Sequence, residues 1–185
     1  MKKYIITIVI LLVVLLGLSI LFKSLANNQV SNDKLLADYG LNGLTVEAII
    51  EKLENDEFPE EVSASIYNDR LVLTIGEDKL LYSLDEDLYY LSFAPYINYT
   101  HECFYHSLTG CRGELIDQDI LIRIYDEDNL LVNETTLNTG DDGFIGLFLE
   151  SGINYRIEVE TEELTSVFYA NSSAGQTCFT EVILT

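Results

Sequence analysis

From Val62 to the C terminus, short runs of alternating apolar and polar residues follow one another, separated by turn-forming residues. A period of two puts every second side chain on one face, so these runs can bury a surface only as strands. Val62, Ala64 and Ile66 lead to the turn Asn68-Asp69. Leu71, Leu73 and Ile75 lead to Gly76-Glu77-Asp78, and Leu80, Tyr82 and Leu84 complete a three-stranded meander. Asp85-Glu86-Asp87 separates it from an aromatic strand over residues 88–97, which Pro95 is expected to break. Six further strands are predicted over residues 119–125, 130–137, 143–149, 154–160, 164–170 and 178–184. Their even spacing predicts an antiparallel β-sandwich-like domain.

The N-terminal part reads differently. After Met-Lys-Lys, residues 4–22 carry no charge and are mainly apolar, and Ser24-Leu25-Ala26 follows. This is the pattern of a signal peptide, and the run is also long enough to span a bilayer as a retained anchor. In either case the preceding lysines place the remainder outside the cytoplasm, in a periplasm or on the outer face of the cytoplasmic membrane. Ser31-Asn32-Asp33 caps a short helix that Gly40 ends, and Thr45 starts a second with Val46, Ile49, Ile50 and Leu53 at helical spacing. The predicted fold class is therefore α+β. Residues 1–26 form the export or anchor helix, 27–32 a linker, 33–87 a small unit of two helices and the meander, and 88–185 the β-sandwich-like domain.

Charge narrows the partners. The chain has 10 basic and 31 acidic residues, and without Lys2, Lys3 and Lys23 the remainder carries a net charge of −24. Such a surface repels phosphate backbones, which excludes nucleic acid, and membrane contact falls to the N-terminal segment alone. Asp126-Glu127-Asp128-Asn129 and Asp141-Asp142 resemble calcium ligands, but no loop has the spacing of a calcium-binding hand, and they read as solvated hairpin turns.

The chemistry concentrates in Tyr99 to Glu114. That stretch holds both histidines, His101 and His106, and two of the three cysteines, Cys103 and Cys111. The third, Cys178, lies where a last strand can bring it back. Thiolate and imidazole are donors for soft and borderline metals. The spacing His-x-Cys-x2-His-x4-Cys fits no zinc-finger template, so zinc is the lesser candidate beside copper. Two of the three thiols can also give up two electrons, to Cu(II) or ferric iron, and close a disulfide. The competing reading is a cell-surface binding or adhesion module, in which two cysteines form a staple and one is left over. A zinc hydrolase lacks an evident general base in the sequence.

Tyr90-Leu91-Ser92-Phe93-Ala94-Pro95-Tyr96, Thr100-His101-Glu102-Cys103, His106-Ser107-Leu108 and Cys111-Arg112-Gly113-Glu114-Leu115 resemble the signature of the CueP family of periplasmic copper-binding proteins. Asp142-Gly143-Phe144-Ile145-Gly146-Leu147 and Thr177-Cys178 are similar to it in the same order. The resemblance implies a small α/β unit followed by a β domain. It implies copper held as Cu(I) through Cys103, Cys111 and Cys178, with His101 and His106 assisting, in copper resistance or supply. It also implies a homodimer and delivery to copper-recipient exported proteins. The apolar N terminus and the strong acidity depart from the usual pattern.

Overall fold

The computed structural model describes residues 14–15, 17–19, 32–55 and 57–185. Most of the export segment and the linker lie outside the described residues. Among those described, no helix is long and apolar enough to cross a membrane. The chain divides into two compact units, Met1–Thr45 and Val46–Thr185. In the first, residues 32–38 are helical. The amide of Leu41 donates to the Leu36 carbonyl at 2.8 Å and Gly40 takes φ +67°, the left-handed residue that closes a helix.

The second unit opens with the helix Val46–Asn55, which buries Ile49, Ile50 and Leu53 on one face. Eleven strands follow: β1 (Val62–Ile66), β2 (Arg70–Ile75), β3 (Asp78–Ser83), β4 (Leu88–Tyr96), β5 (His106–Ser107), β6 (Asp119–Tyr125), β7 (Leu131–Asn138), β8 (Ile145–Glu150), β9 (Asn154–Glu160), β10 (Thr165–Asn171) and β11 (Cys178–Ile183). They form three sheets, with orders β3-β2-β1-β5, β10-β9-β6-β7 and β11-β4-β8. The fold is α+β, dominated by strand, as the periodicity predicts.

Two of the sheets share one core. Tyr89, Leu91 and Phe93 of β4, Ile145 and Leu149 of β8, and Val182 of β11 meet Ile120, Ile122 and Ile124 of β6, Ile157 of β9 and Phe168 of β10. Each fully buried aliphatic side chain of this kind contributes about 1.5–3 kcal/mol. Strand β4 is buried along both faces, unlike its neighbours. Its odd residues enter this core, and its even residues Tyr90, Ser92 and Ala94 face the other way and back the site described below.

Three differences from the sequence reading matter. Pro95 does not break β4, which continues to Tyr96. The pairing with β8 stops at Phe93, and the β11 register shifts between Phe179 and Val182, next to the residue that has no N–H to give. The β4–β11 pair is parallel, so the domain is not wholly antiparallel. The donor-rich stretch is not all loop: His106 pairs with Ile66 and Ser107 with Ser65, adding β5 to the meander's sheet. A buried backbone needs partners, and the edge of β1 supplies them.

Candidate metal centre

Four pieces of chain converge on the site. The loop between β4 and β5 carries His101 and Cys103. β5 carries His106, the tight turn after it carries Cys111, and β11 begins at Cys178. The turn is built by Ser107, whose carbonyl accepts from the amides of Gly110 and Cys111 at 3.2 and 3.0 Å. Leu108 donates to Ala64 O at 3.0 Å and Ala64 N donates to Thr109 Oγ1 at 3.1 Å, fixing the turn to β1. Thr177 locks the far cysteine in place. Its hydroxyl accepts from His106 N at 3.0 Å and donates to Ile66 O at 2.8 Å. The amides of Thr177 and Cys178 both donate to Phe104 O, at 2.9 and 3.1 Å.

The result gathers all five candidate donors. One donor atom each from His101, Cys103 and Cys111 lie within 4.8 Å of one another, and so do those of His106, Cys111 and Cys178. Cys111 belongs to both groups. The Sγ atoms of Cys103 and Cys111 are 3.6 Å apart, and all three cysteines are free thiols. Cys178 Sγ stands 3.8 Å from His106 Nδ1. The second group is fully enclosed: His106 and Cys178 have no exposed surface. The first opens outward, with His101 exposed and Cys103 half-buried. Phe144 lies against both imidazoles, with ring centroids 5.9 Å from His101 and 4.7 Å from His106.

Electrostatics divide the sulfurs. The thiols of Cys103 and Cys178 donate towards Cys111 and hold it well below the ordinary thiol range, with the Ser107 amide at 3.4 Å and the His106 imidazole assisting. The same sharing pushes Cys103 and Cys178 up. Tyr105 O, 3.2 Å from Cys103 Sγ, is a second acceptor within reach of that one thiol proton. Burial would push His106 down, but its hydrogen bonds to Cys111 and Glu54 outweigh that and lift it to about 9. One preformed thiolate in an enclosed sulfur and imidazole cluster suits a soft cation.

The sequence reading missed the residues behind the imidazole. Glu54, from the helix Val46–Asn55, places its carboxylate 3.1 and 3.2 Å from His106 Nε2. Tyr90 donates its hydroxyl to Glu54 Oε1 at 2.7 Å. A Cβ on Gly146 would come within 2.0 Å of that hydroxyl, so β8 needs a glycine there. Asp142, read from sequence as a solvated turn, is drawn in beside His106, and burial raises its carboxyl to about 6. A second glycine contact holds this loop down. Gly113 donates to Asp142 O at 2.6 Å, and a Cβ on Gly113 would meet Gly143 O at 2.3 Å. Glu54 sits 52 positions from His106, and no local spacing marks the pair. Asp126, the other acidic turn, does remain a hairpin turn: its carboxylate accepts from Leu130 N at 2.9 Å, and Asn129 takes φ +61°.

The crystal structure described as that of S.CueP matches with a TM-score of 0.78 and 34% sequence identity, over 84% of this chain and 98% of that one. No match is found among curated proteins. The family profile described as periplasmic copper-binding protein CueP matches residues 46–183, which spans the helix, all three sheets and every cysteine and histidine of the chain. The chain belongs to the CueP family.

Proposed function

We propose that this protein is an extracytoplasmic copper-binding protein that holds Cu(I) through Cys103, Cys111 and Cys178, with His106 Nδ1 as the imidazole donor. The observation that carries the reading is the enclosed group of His106, Cys111 and Cys178, whose donor atoms all lie within 4.8 Å of one another. Thiolate ligands favour Cu(I), and the absence of solvent around two of the donors keeps the metal from water and oxidants. His101 and Cys103 form the accessible side, where copper is taken up or handed to an exported recipient. Family membership supports copper as the cargo and an export route for residues 1–26. The resemblance to the family supports a homodimer.

Copper reduction is an attached step. Two thiols give one electron to each of two Cu(II) ions, producing two Cu(I), one disulfide and two protons. The 3.6 Å approach of Cys103 and Cys111 supports that chemistry, because little movement closes the bond. Titration of the reduced protein with Cu(I) against a competing chelator tests the main reading. One tightly held Cu(I) that disappears in the Cys→Ser variants is expected. Copper retained after all three substitutions, or none retained by the native chain, rules it out.

A further inference from the structure

The sulfur cluster uses only one edge of His106. Nδ1 faces Cys178, while Nε2 faces Glu54 at 3.1 Å. One donor atom each from Glu54, His106 and Asp142 lie within 4.8 Å of one another. Asp142 Oδ1 accepts from Phe144 N at 2.8 Å, but Oδ2 is shut off from solvent and has no hydrogen-bond partner among the described residues. A buried carboxylate oxygen without a partner is uncommon and calls for an occupant. The nearby guanidinium of Arg112 is directed elsewhere, to Cys111 O at 2.6 Å and Thr109 O at 3.3 Å.

We propose that Glu54, Asp142 and His106 Nε2 form a second metal site, separate from the three sulfurs and selective for a divalent cation of the copper and zinc class. Two carboxylates and one imidazole are a nitrogen and oxygen set. That set suits Cu(II) or Zn(II), is poor for Cu(I), and has too few oxygens for calcium. Glu54 and Asp142 also line a cleft of about 480 Å³, together with Glu47, Glu51 and Tyr90, so only the last step to the enclosed Asp142 Oδ2 lies out of solvent. Its acidic rim attracts a dication. Glu54 is oriented by Tyr90, and Asp142 by the Phe144 amide, so the site is built before metal arrives. The protein thus presents oxygen donors on one edge of an imidazole and sulfur donors on the other. The site does not depend on the sulfurs' affinity for Cu(I).

The full chain with Cys103→Ser, Cys111→Ser and Cys178→Ser isolates it. Cu(II) titration followed by electron paramagnetic resonance is expected to show one ion per chain, with hyperfine coupling to one imidazole nitrogen. Glu54→Gln or Asp142→Asn should each weaken binding at least tenfold, and Asp128→Asn, in an exposed hairpin turn, should leave it unchanged. No stoichiometric Cu(II), or binding indifferent to both carboxylate changes, overturns the proposal. Should the triple variant fail to fold, Co(II) added to the native protein already loaded with Cu(I) reads the same site. Ligand-field bands without thiolate charge transfer, lost in Asp142→Asn, support it. Cobalt bound only through thiolate, or unaffected by Asp142→Asn, overturns it. Loss of Cu(I) binding by the native chain would instead strike the sulfur reading.

Discussion

At the scale of single residues, the site is governed by groups that touch its donors from behind. With no cation between them, Glu54 keeps the His106 proton at Nε2 and leaves Nδ1 to the sulfurs, and a dication bound there takes the place of that proton. Glu54→Gln should therefore weaken Cu(I) binding by roughly 10–100-fold, as loss of an outer partner does. Chelator competition measures the affinity, and the imidazole nitrogen resonances report whether the tautomer has changed. Gly113 works by having no side chain. A methyl group there would sit 2.3 Å from Gly143 O, so Gly113→Ala must lift the Asp142-Gly143-Phe144 loop. Overpacking of this kind costs about 1–3 kcal/mol. The urea midpoint of the variant should fall accordingly, and Asp142 should move away from His106.

At the scale of elements, two joints hold the donor segment. Thr177 ties β11 to both β5 and β1 through one hydroxyl. Thr177→Val keeps the shape but removes both hydroxyl bonds from buried backbone groups, at about 1–3 kcal/mol in all. Calorimetry should show the lost stability, and the β5 amides should exchange faster. Glu114 closes the loop between β4 and β5. Its carboxylate accepts from Asn98 N at 2.8 Å, Asn98 Nδ2 at 2.8 Å and Ile97 N at 2.6 Å. These bonds, the Asn98 amide first, lower its carboxyl from 4.5 to about 2. A depressed acid stabilises the fold fully above its unfolded value, and that contribution fades as the pH falls through the folded value. The Ile97 and Asn98 amide resonances should thus titrate with a midpoint near 2, not near 4.5. Glu114→Gln should abolish that titration.

At the scale of the whole molecule, thiol counting separates the two original readings. Protein purified without oxygen should give three modifiable thiols once unfolded, because all three cysteines are free; a structural staple would give one. The alternation from Val62 onwards was enough to place nearly every strand, since a strand with one buried face writes its period directly into the sequence. Clustered histidines and cysteines likewise marked Cys103, Cys111, His101 and His106, because four donors in one short stretch need no fold to be near one another. Cys178 enters the sequence reading through the last strand and the family resemblance, but the parallel β4–β11 pairing that carries it to the loop is encoded in no local pattern and is decided only by the tertiary structure. The same holds for Glu54 and Asp142. Acidic residues are abundant in this chain, and a carboxylate facing an imidazole differs from a solvated one only in what folds against it. Periodicity and local clustering are properties of neighbours in sequence, whereas a candidate metal centre assembled from a helix, a loop and two strands is a property of neighbours in space.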